Sequence, residues 1–544
     1  MSRVAVIGFV LAAVLRLMVL PALDAPQPSH PAVFRDNPLV PSATNFPYLF
    51  KSLPRELERV QVGTAKDGVP RWIQGAWVKT GFCVFDNNRF KTKMLFDASG
   101  CAYQFDFPGG GEVFVNAKRL QSRYYDAMKA DKYPLWRTFE EFEPPRRGLD
   151  KILTLLSQDQ ADNYLVNLVS VGKNRIAAIT DLAGELELDA FNLSTKGLIK
   201  WNDDLERDKW NMLSCAHPSR VASRKGMLYN DLLNLNIPLN MLMYGKPFVY
   251  NVIEVDTTQH KRRLIGTIPT DRHYYVHENA LTNKFLIIIE FPFIWNFVGI
   301  VTNTAIKNAL KFVPSLGIRF KVVNLSTGTL EKEFHLPDES FYAFHQINAH
   351  EQGTQLVLTM TAYDDIGYHL QKSFLLEGGH LNNTFDLPPA TIRRVVLDLA
   401  TGQATTTKLG TVDMELPIVS DALRGTPLKY VYAHSKSISN RGAGCKAGPG
   451  CGGTWWDSIV KVDLQDGGRQ VLKWRRDDFW PSEPAFVPRP GSKAEDDGVL
   501  LNVLLGDDHK SYLLLLDARN FTQLALLTLP THFPYQSHGS WYFH

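Results

Sequence analysis

Four histidines stand in short, distinctive contexts along the chain: Cys215-Ala216-His217-Pro218, Tyr275-Val276-His277-Glu278-Asn279, Phe344-His345-Gln346-Ile347-Asn348 and Ser537-His538-Gly539-Ser540-Trp541. They lie 60, 68 and 193 residues apart, too far for a metal finger or for one face of a helix. Only a large fold that brings four distant strands to one point can join them. Four neutral imidazoles with no carboxylate or thiolate among them suit a borderline metal, and iron(II) is the one whose open positions take up dioxygen. Any one of these histidines alone would be an ordinary core or surface residue, so the reading rests on the set. His350 follows His345 by five residues, an odd offset along a strand that turns it to the other face. His273 precedes His277 by four and shares its face as a neighbour, not as a further ligand.

The four segments resemble the ligand motifs of the carotenoid oxygenases, the family of animal and plant carotenoid cleavage dioxygenases that also contains the retinoid isomerase of the eye. Phe344 to Asn348 followed by Glu351 resembles the third ligand segment, and His538-Gly539 near the C-terminus resembles the fourth. Gly75-Ala76-Trp77 is similar to the opening strand, and Leu95-Phe96-Asp97 with Gly100 more loosely to a later marker. The similarity runs from about Pro41 to His544, whereas the Pro-Asp-Pro-Cys-Lys segment of animal members is absent. The resemblance implies one Fe(2+) per chain held by His217, His277, His345 and His538, with O2 as co-substrate. It implies that Asp181 orients His277, Glu415 orients His345 and Glu483 orients His538, as ligating imidazoles usually donate their second N–H to such groups. His217 is left without an anionic partner. Asp181 stands where the family usually has glutamate, and one methylene less shortens its reach by about 1.5 Å. Either the backbone moves closer or a water bridges the gap. Thr180 matches a position that crowds one of the two remaining coordination sites.

The implied activity is dioxygenase cleavage of a carotenoid or apocarotenoid double bond into two carbonyl products, with no acid–base residue required. A retinoid isomerohydrolase or a stilbene-cleaving enzyme would use the same iron centre. A ligand-binding β-propeller without chemistry is the reading outside enzymology.

Such a centre needs elements that converge. From Trp72 onwards, short apolar runs such as Phe285 to Glu290 and Gly498 to Leu505 alternate with turn residues, the pattern of many short strands. Val322-Val323-Asn324-Leu325-Ser326-Thr327-Gly328, Val396 to Gly402 and Val460 to Gly467 repeat one phrase: a strand, then Asn or Asp, then a Gly turn. No strict 40-residue repeat is present, but the phrase predicts propeller blades, whose inner strands meet on one axis. The family resemblance implies seven of them. The expected architecture is all-β: a single seven-bladed propeller over residues 46–544 with a helical or loop cap over the metal axis. Two stretches are expected to interrupt the strands. One is Tyr229 to Tyr244; the other is Phe291 to Phe312, an apolar insertion in which Trp295, Phe297, Val298 and Ile300 would dock on a membrane beside the cavity mouth.

Composition fits this frame. The net charge is +3 and charged residues make up 21%, which excludes a polyanion footprint and a nucleic-acid partner. Aromatic residues at 11% furnish either a β core or an apolar tunnel. Five cysteines are too few for a disulfide scaffold. Cys83, Cys101 and Cys215 read as buried thiols, and Cys445 and Cys451 form a plausible pair in a Gly-rich loop. Residues 1–25 carry an apolar run interrupted by Arg16, the pattern of a signal peptide or signal-anchor, with organelle targeting as the alternative. A Pro-rich linker follows over residues 26–45. Membrane association and entry into the secretory pathway, towards the endoplasmic reticulum, are the expectations.

Overall fold

The computed structural model of the chain describes residues 51–156, 162–182, 184–203, 205, 212–234, 248–296, 299, 302–366, 376–377, 380–381, 389–436 and 456–542. The N-terminal run and linker, Phe297, Val298, Ile300, Cys445 and Cys451 lie outside them.

Seven antiparallel sheets form the blades of a propeller. In chain order the innermost strands of the second to sixth blades are Asn167–Gly172, Met212–Ser214, Ala280–Leu281, Gln346–Gln352 and Met414–Ile418. The seventh blade opens with two short strands, Phe479–Pro481 and Ala485–Pro488, on one partner, Gly498–Gly506. The first blade is built from both ends of the described chain. Its inner strand is the last one, Gln536–Tyr542, paired antiparallel to Gly75–Phe82. This pairing closes the ring and leaves no open sheet edge at the seam.

Central strands are covered on both sides by neighbouring blades, so they read as continuous apolar runs instead of alternating ones. Gly498–Gly506 is buried along its whole length, as is Phe285–Glu290. Between the first and seventh blades pack Trp77, Phe105, Val499, Leu513 and Leu527. Phe291, Phe293, Phe320, Tyr342 and Leu358 fill the space between the fourth and fifth. Each fully buried side chain of this kind contributes roughly 1.5–3 kcal/mol.

The repeated sequence phrase marks one recurrent feature at the propeller rim, the turn from the third to the fourth strand. Asp189, Asp256, Asn324, Asp398, Asp463 and Asp517 each accept, through Oδ1, the backbone N–H two residues on. Side-chain capping of this kind offers the backbone a turn and ends the strand. Six blades share it.

Three expectations are corrected. Tyr229 to Asn234 does not interrupt the strands, because Met227–Asn234 is itself the second strand of the third blade. The insertion, which lies between the second and third strands of the fourth blade, begins as a hairpin, Phe293–Trp295 on Leu310–Phe312, with Phe291 and Phe293 in the core. Cys83 and Cys101 are not thiols but form a disulfide, since Cys83 follows Gly75–Phe82 and Cys101 lies on the strand paired with it; among the described cysteines Cys215 is a buried one outside any disulfide.

The described residues contain two α-helices, α1 (Arg123–Lys129) and α2 (Gly148–Leu156), both in the excursion between the first and second blades. Part of this excursion, from Tyr124 to Phe139, walls the same cavity as the histidines and forms the cap. No described helix is long and apolar enough to cross a membrane.

Candidate metal centre

Every blade lends the axis one residue, from its innermost strand or from the loop beside it. In order from the first blade they are His538, Asn167, His217, His277, His345, Glu415 and Glu483. The four histidines each offer a ring nitrogen within 4.8 Å of the others, the one such group among the described residues. His345 and His538 bring their Nε2 atoms within 3.2 Å. Metal–imidazole bonds of about 2.0–2.1 Å would be compatible with this spacing. The Nε2 atom of His217 is buried without a hydrogen-bond partner. An orphaned buried polar atom costs about 1–3 kcal/mol, which a bound metal ion would offset. The residues present therefore fit a metal. His273 packs against Phe248 and His350 lies along its strand, and neither joins the group.

Three imidazoles are oriented by carboxylates at their Nδ1 atoms. Glu415 Oε2 lies 2.8 Å from His345 and Glu483 Oε1 lies 2.8 Å from His538. Asp181 reaches His277 directly, with Oδ1 at 3.0 Å and Oδ2 at 3.1 Å. The shorter side chain thus reaches the ring directly, with no bridging water needed. His217 has no anion; the Asn167 amide nitrogen stands 3.4 Å from its Nδ1. Thr180 lies on the cavity wall next to Asp181.

Local backbone features aim these groups. The strand pairing breaks between Glu415 and Ile418, and Leu416 between them has a φ of 52°. A bulge of this kind re-aims a side chain, and here the Leu416 N–H donates back to Glu415 Oε2 at 2.9 Å. Glu278 accepts the Gln346 N–H at 2.6 Å, so the residue after one histidine braces the residue after another. Ser219 donates to the Asn279 carbonyl at 2.9 Å and ties the His217 loop to the same segment. Lys79, fully buried, donates to the Glu483 carbonyl at 2.8 Å and to Ser482 Oγ at 3.1 Å.

Burial holds His217 and His538 well below the ordinary imidazole range, and the surrounding rings push the same way. Both are neutral, with lone pairs available to a metal. Burial acts against a charge on His277 too, but the Asp181 carboxylate outweighs it and raises this ring. Burial likewise opposes ionisation of Glu415, yet the His345 ring and its hydrogen bonds hold it below the usual carboxylate range. Glu483 is pushed up to about 7 by burial, against the pull of Lys79.

Two cavities meet at the histidines. One, of about 190 Å3, is apolar, with Phe82, Phe96, Trp295, Phe344, Trp456 and Tyr535 in its walls and His277, His345 and His538 at one side. The other, of about 100 Å3, is polar and touches His217, His345 and His538 together with Asn167, Glu278 and Arg424. Trp295, expected at a membrane surface, lines the apolar cavity and packs on Tyr275. Asn167, Tyr275, Glu278 and Lys79 were not singled out from the sequence. Tyr275 and Glu278 flank His277 in its own segment, the signal that could have found them, whereas Asn167 and Lys79 sit in unremarkable strand sequence.

A family model described as RPE65, retinal pigment epithelial membrane protein, matches residues 50–542. The apocarotenoid-15,15'-oxygenase of Synechocystis is 26% identical over 508 residues, covering 90% of this chain and 95% of that one. Carotenoid cleavage dioxygenase 8 of Arabidopsis thaliana, chloroplastic, is 24% identical over 506 residues, covering 88% and 83%. Among solved structures, a single-site mutant of Synechocystis ACO superposes with a TM-score of 0.75 at 23% identity, over 92% of this chain and 99% of that one. Cobalt-substituted Synechocystis ACO superposes equally, at 22% identity over the same shares. With the fold shared and the match spanning nearly every described residue, the chain belongs to the family of the retinal pigment epithelial membrane protein and the carotenoid oxygenases.

Proposed function

We propose that this chain is a non-haem iron(II) dioxygenase that cleaves one C=C bond of a carotenoid or apocarotenoid with O2, giving two carbonyl products. The observation that carries it is the opening of a four-histidine centre directly onto an apolar, aromatic cavity. Relatives named for carotenoid cleavage and apocarotenoid oxygenation support the same reading. When bound, the iron supplies the activation of dioxygen. The protein's part is positioning. Aromatic walls hold a stiff polyene in one register and exclude water, so that one double bond lies beside the centre. Asp181, Glu415 and Glu483 fix the three rings through Nδ1 and leave Nε2 for the metal. Thr180 narrows one of the remaining coordination positions.

Such a substrate dissolves only in lipid, and we assign its delivery to a membrane surface. Helix α2 exposes Leu149 at 68%, Ile152 at 53% and Leu153 at 40%, with Leu135 nearby in sequence at 39%. Exposed Arg147 and Lys151 complement anionic headgroups. The helix adjoins the cavity wall, because Arg137, which lines the cavity, donates to the Leu155 carbonyl at 3.1 Å. In this reading α2 carries the docking role expected of Trp295. Entry into the secretory pathway through the N-terminal apolar run accords with the Cys83–Cys101 disulfide, which persists in oxidising compartments.

The test is aerobic incubation of iron-loaded protein with β-carotene, a hydroxylated carotenoid, an apocarotenal, a retinyl ester and a stilbene, with products identified by mass spectrometry. Paired carbonyl fragments from a carotenoid or apocarotenoid, absent from His345→Ala, are the expected result. Isomerised retinol without scission, stilbene cleavage alone, or no product from protein that holds no iron would overturn the proposal.

A further inference from the structure

Asp181 serves two ligands, not one. Besides His277 Nδ1, its Oδ1 accepts the Ala216 N–H at 3.1 Å, and its backbone carbonyl accepts the Ser214 N–H at 2.9 Å. Both donors belong to the segment that leads into His217, the ligand with no carboxylate of its own. The carboxylate is itself held from a third side. The Tyr275 hydroxyl donates to Oδ2 at 2.6 Å. The Tyr275 ring is buried and packed edge-on against Phe293 and Trp295, with ring centres 5.5 and 5.8 Å away, and stacked on Tyr342 at 6.1 Å.

We infer that Tyr275 is a positioning residue of the metal centre. Its hydroxyl locks the Asp181 carboxylate, and through it the ring of His277 and the main chain before His217. The inference deepens the metal-centre reading and rests on it. A carboxylate turns readily about its last bond, and of the orientations open to it only one range presents an oxygen to Nδ1 and to the Ala216 N–H together. Hydrogen bonding from Tyr275 selects that one. The space between His277 and the hydroxyl also has no room for a longer side chain, since one methylene more adds about 1.5 Å to contacts already at hydrogen-bond length. The length of the acid and the hydroxyl of Tyr275 are therefore matched to each other.

Matching of this kind predicts reciprocal rescue. Metal affinity is read by titrating the full chain with Co(II), following the visible bands, and by chelator competition for Fe(II). Tyr275→Phe keeps the ring and its packing but loses the lock, and it is expected to weaken binding about tenfold and to change the cobalt bands. Asp181→Glu, crowded against the hydroxyl, is expected to weaken it similarly. The double variant, in which the longer acid occupies the space of the missing hydroxyl, is expected to return to within about threefold of the parent. Thermal melts of the metal-free proteins report folding separately. The inference is overturned if Tyr275→Phe matches the parent in affinity and bands, or if the double variant is as weak as the two single losses combined. A parent that takes up neither metal overturns the metal centre, and this inference with it; a parent that binds while Tyr275→Phe is silent overturns the inference alone.

Discussion

Asp97 shows how one buried group shapes the cavity at a distance from the histidines. It is fully buried, and its two oxygens accept the backbone N–H groups of Phe139, at 2.7 Å, and Glu140, at 2.9 Å. These contacts pin the segment from Arg137 to Phe139 into the cavity wall. Burial pushes the Asp97 carboxyl up to about 7, although both N–H groups and Arg146 oppose the rise. An unfolded chain releases this proton near 4. Between about pH 4 and pH 7 the folded form therefore binds more protons, and this group's contribution makes stability fall as pH rises across that window, with no further change above it. Asp97→Asn keeps one acceptor oxygen and carries no charge. Thermal melts from pH 4 to 8 are expected to lose part of their downward slope in the variant, and an unchanged slope would remove Asp97 as its source. At this scale the sequence was informative where residue type and motif coincide. The four histidines and three carboxylates could be nominated because their sequence contexts resemble the family's motifs, and the structure brings all seven together. The lock by Tyr275 was not legible, because the aim of a hydroxyl depends on backbone directions two blades apart. Lys79 was hidden for another reason: a lysine in a strand reads as solvent-facing until its burial is known.

Elements turn these residues into a site, and the closing strand is the most exacting of them. Gly539 follows His538 and pairs with Lys79, and a Cβ added there would meet the Val78 carbonyl oxygen at 2.2 Å and Lys79 Cγ at 2.7 Å. The inner strand can lie flat against Gly75–Phe82 only because that position has no side chain. Gly539→Ala must push the strand away from its partner at the seam where the ring closes, displacing His538 from Glu483 as well. A drop in melting temperature of several degrees, corresponding to about 1–3 kcal/mol, is expected. Metal affinity measured on the folded fraction should fall with it. Unaltered melting and metal binding would mean that the seam relaxes without moving the ligand. Blade elements were legible to the extent that turns announce themselves: the Asp or Asn that caps the rim turn recurs in six blades. The blades escape a strict repeat because the loops between these turns differ in length. Strand Met227–Asn234 was not recognised because its run of Leu and Asn lacks the strict alternation that marks a half-exposed strand.

The whole propeller sets where each kind of chemistry can approach the axis. Polar groups such as Asn167, Glu278 and Arg424 reach the histidines by one cavity, aromatic side chains by the other, and the cap lies over the apolar one. A lipid-dissolved polyene would reach the axis by the apolar cavity, and α2, which adjoins the cap through Arg137, turns an apolar face to solvent. Each exposed Leu or Ile that leaves water for a bilayer interface gains roughly 1 kcal/mol or more. Replacing Leu149 and Ile152 together by Glu removes that gain and sets two negative charges beside anionic lipid. The loss should exceed the 1.4 kcal/mol that equals a tenfold change in binding. The full chain and the variant are to be compared on vesicles of mixed phosphatidylcholine and phosphatidylserine carrying the substrate, and on the same substrate in detergent micelles. Turnover from vesicles is expected to fall about tenfold in the variant, with turnover from micelles little changed. Comparison of the two rates also separates docking by α2 from any anchoring by the N-terminal apolar run, which both proteins keep. Equal losses in vesicles and micelles would place the damage in the cavity wall through Arg137 and the Leu155 carbonyl, and no loss in either would leave the apolar face of α2 without a part in substrate entry.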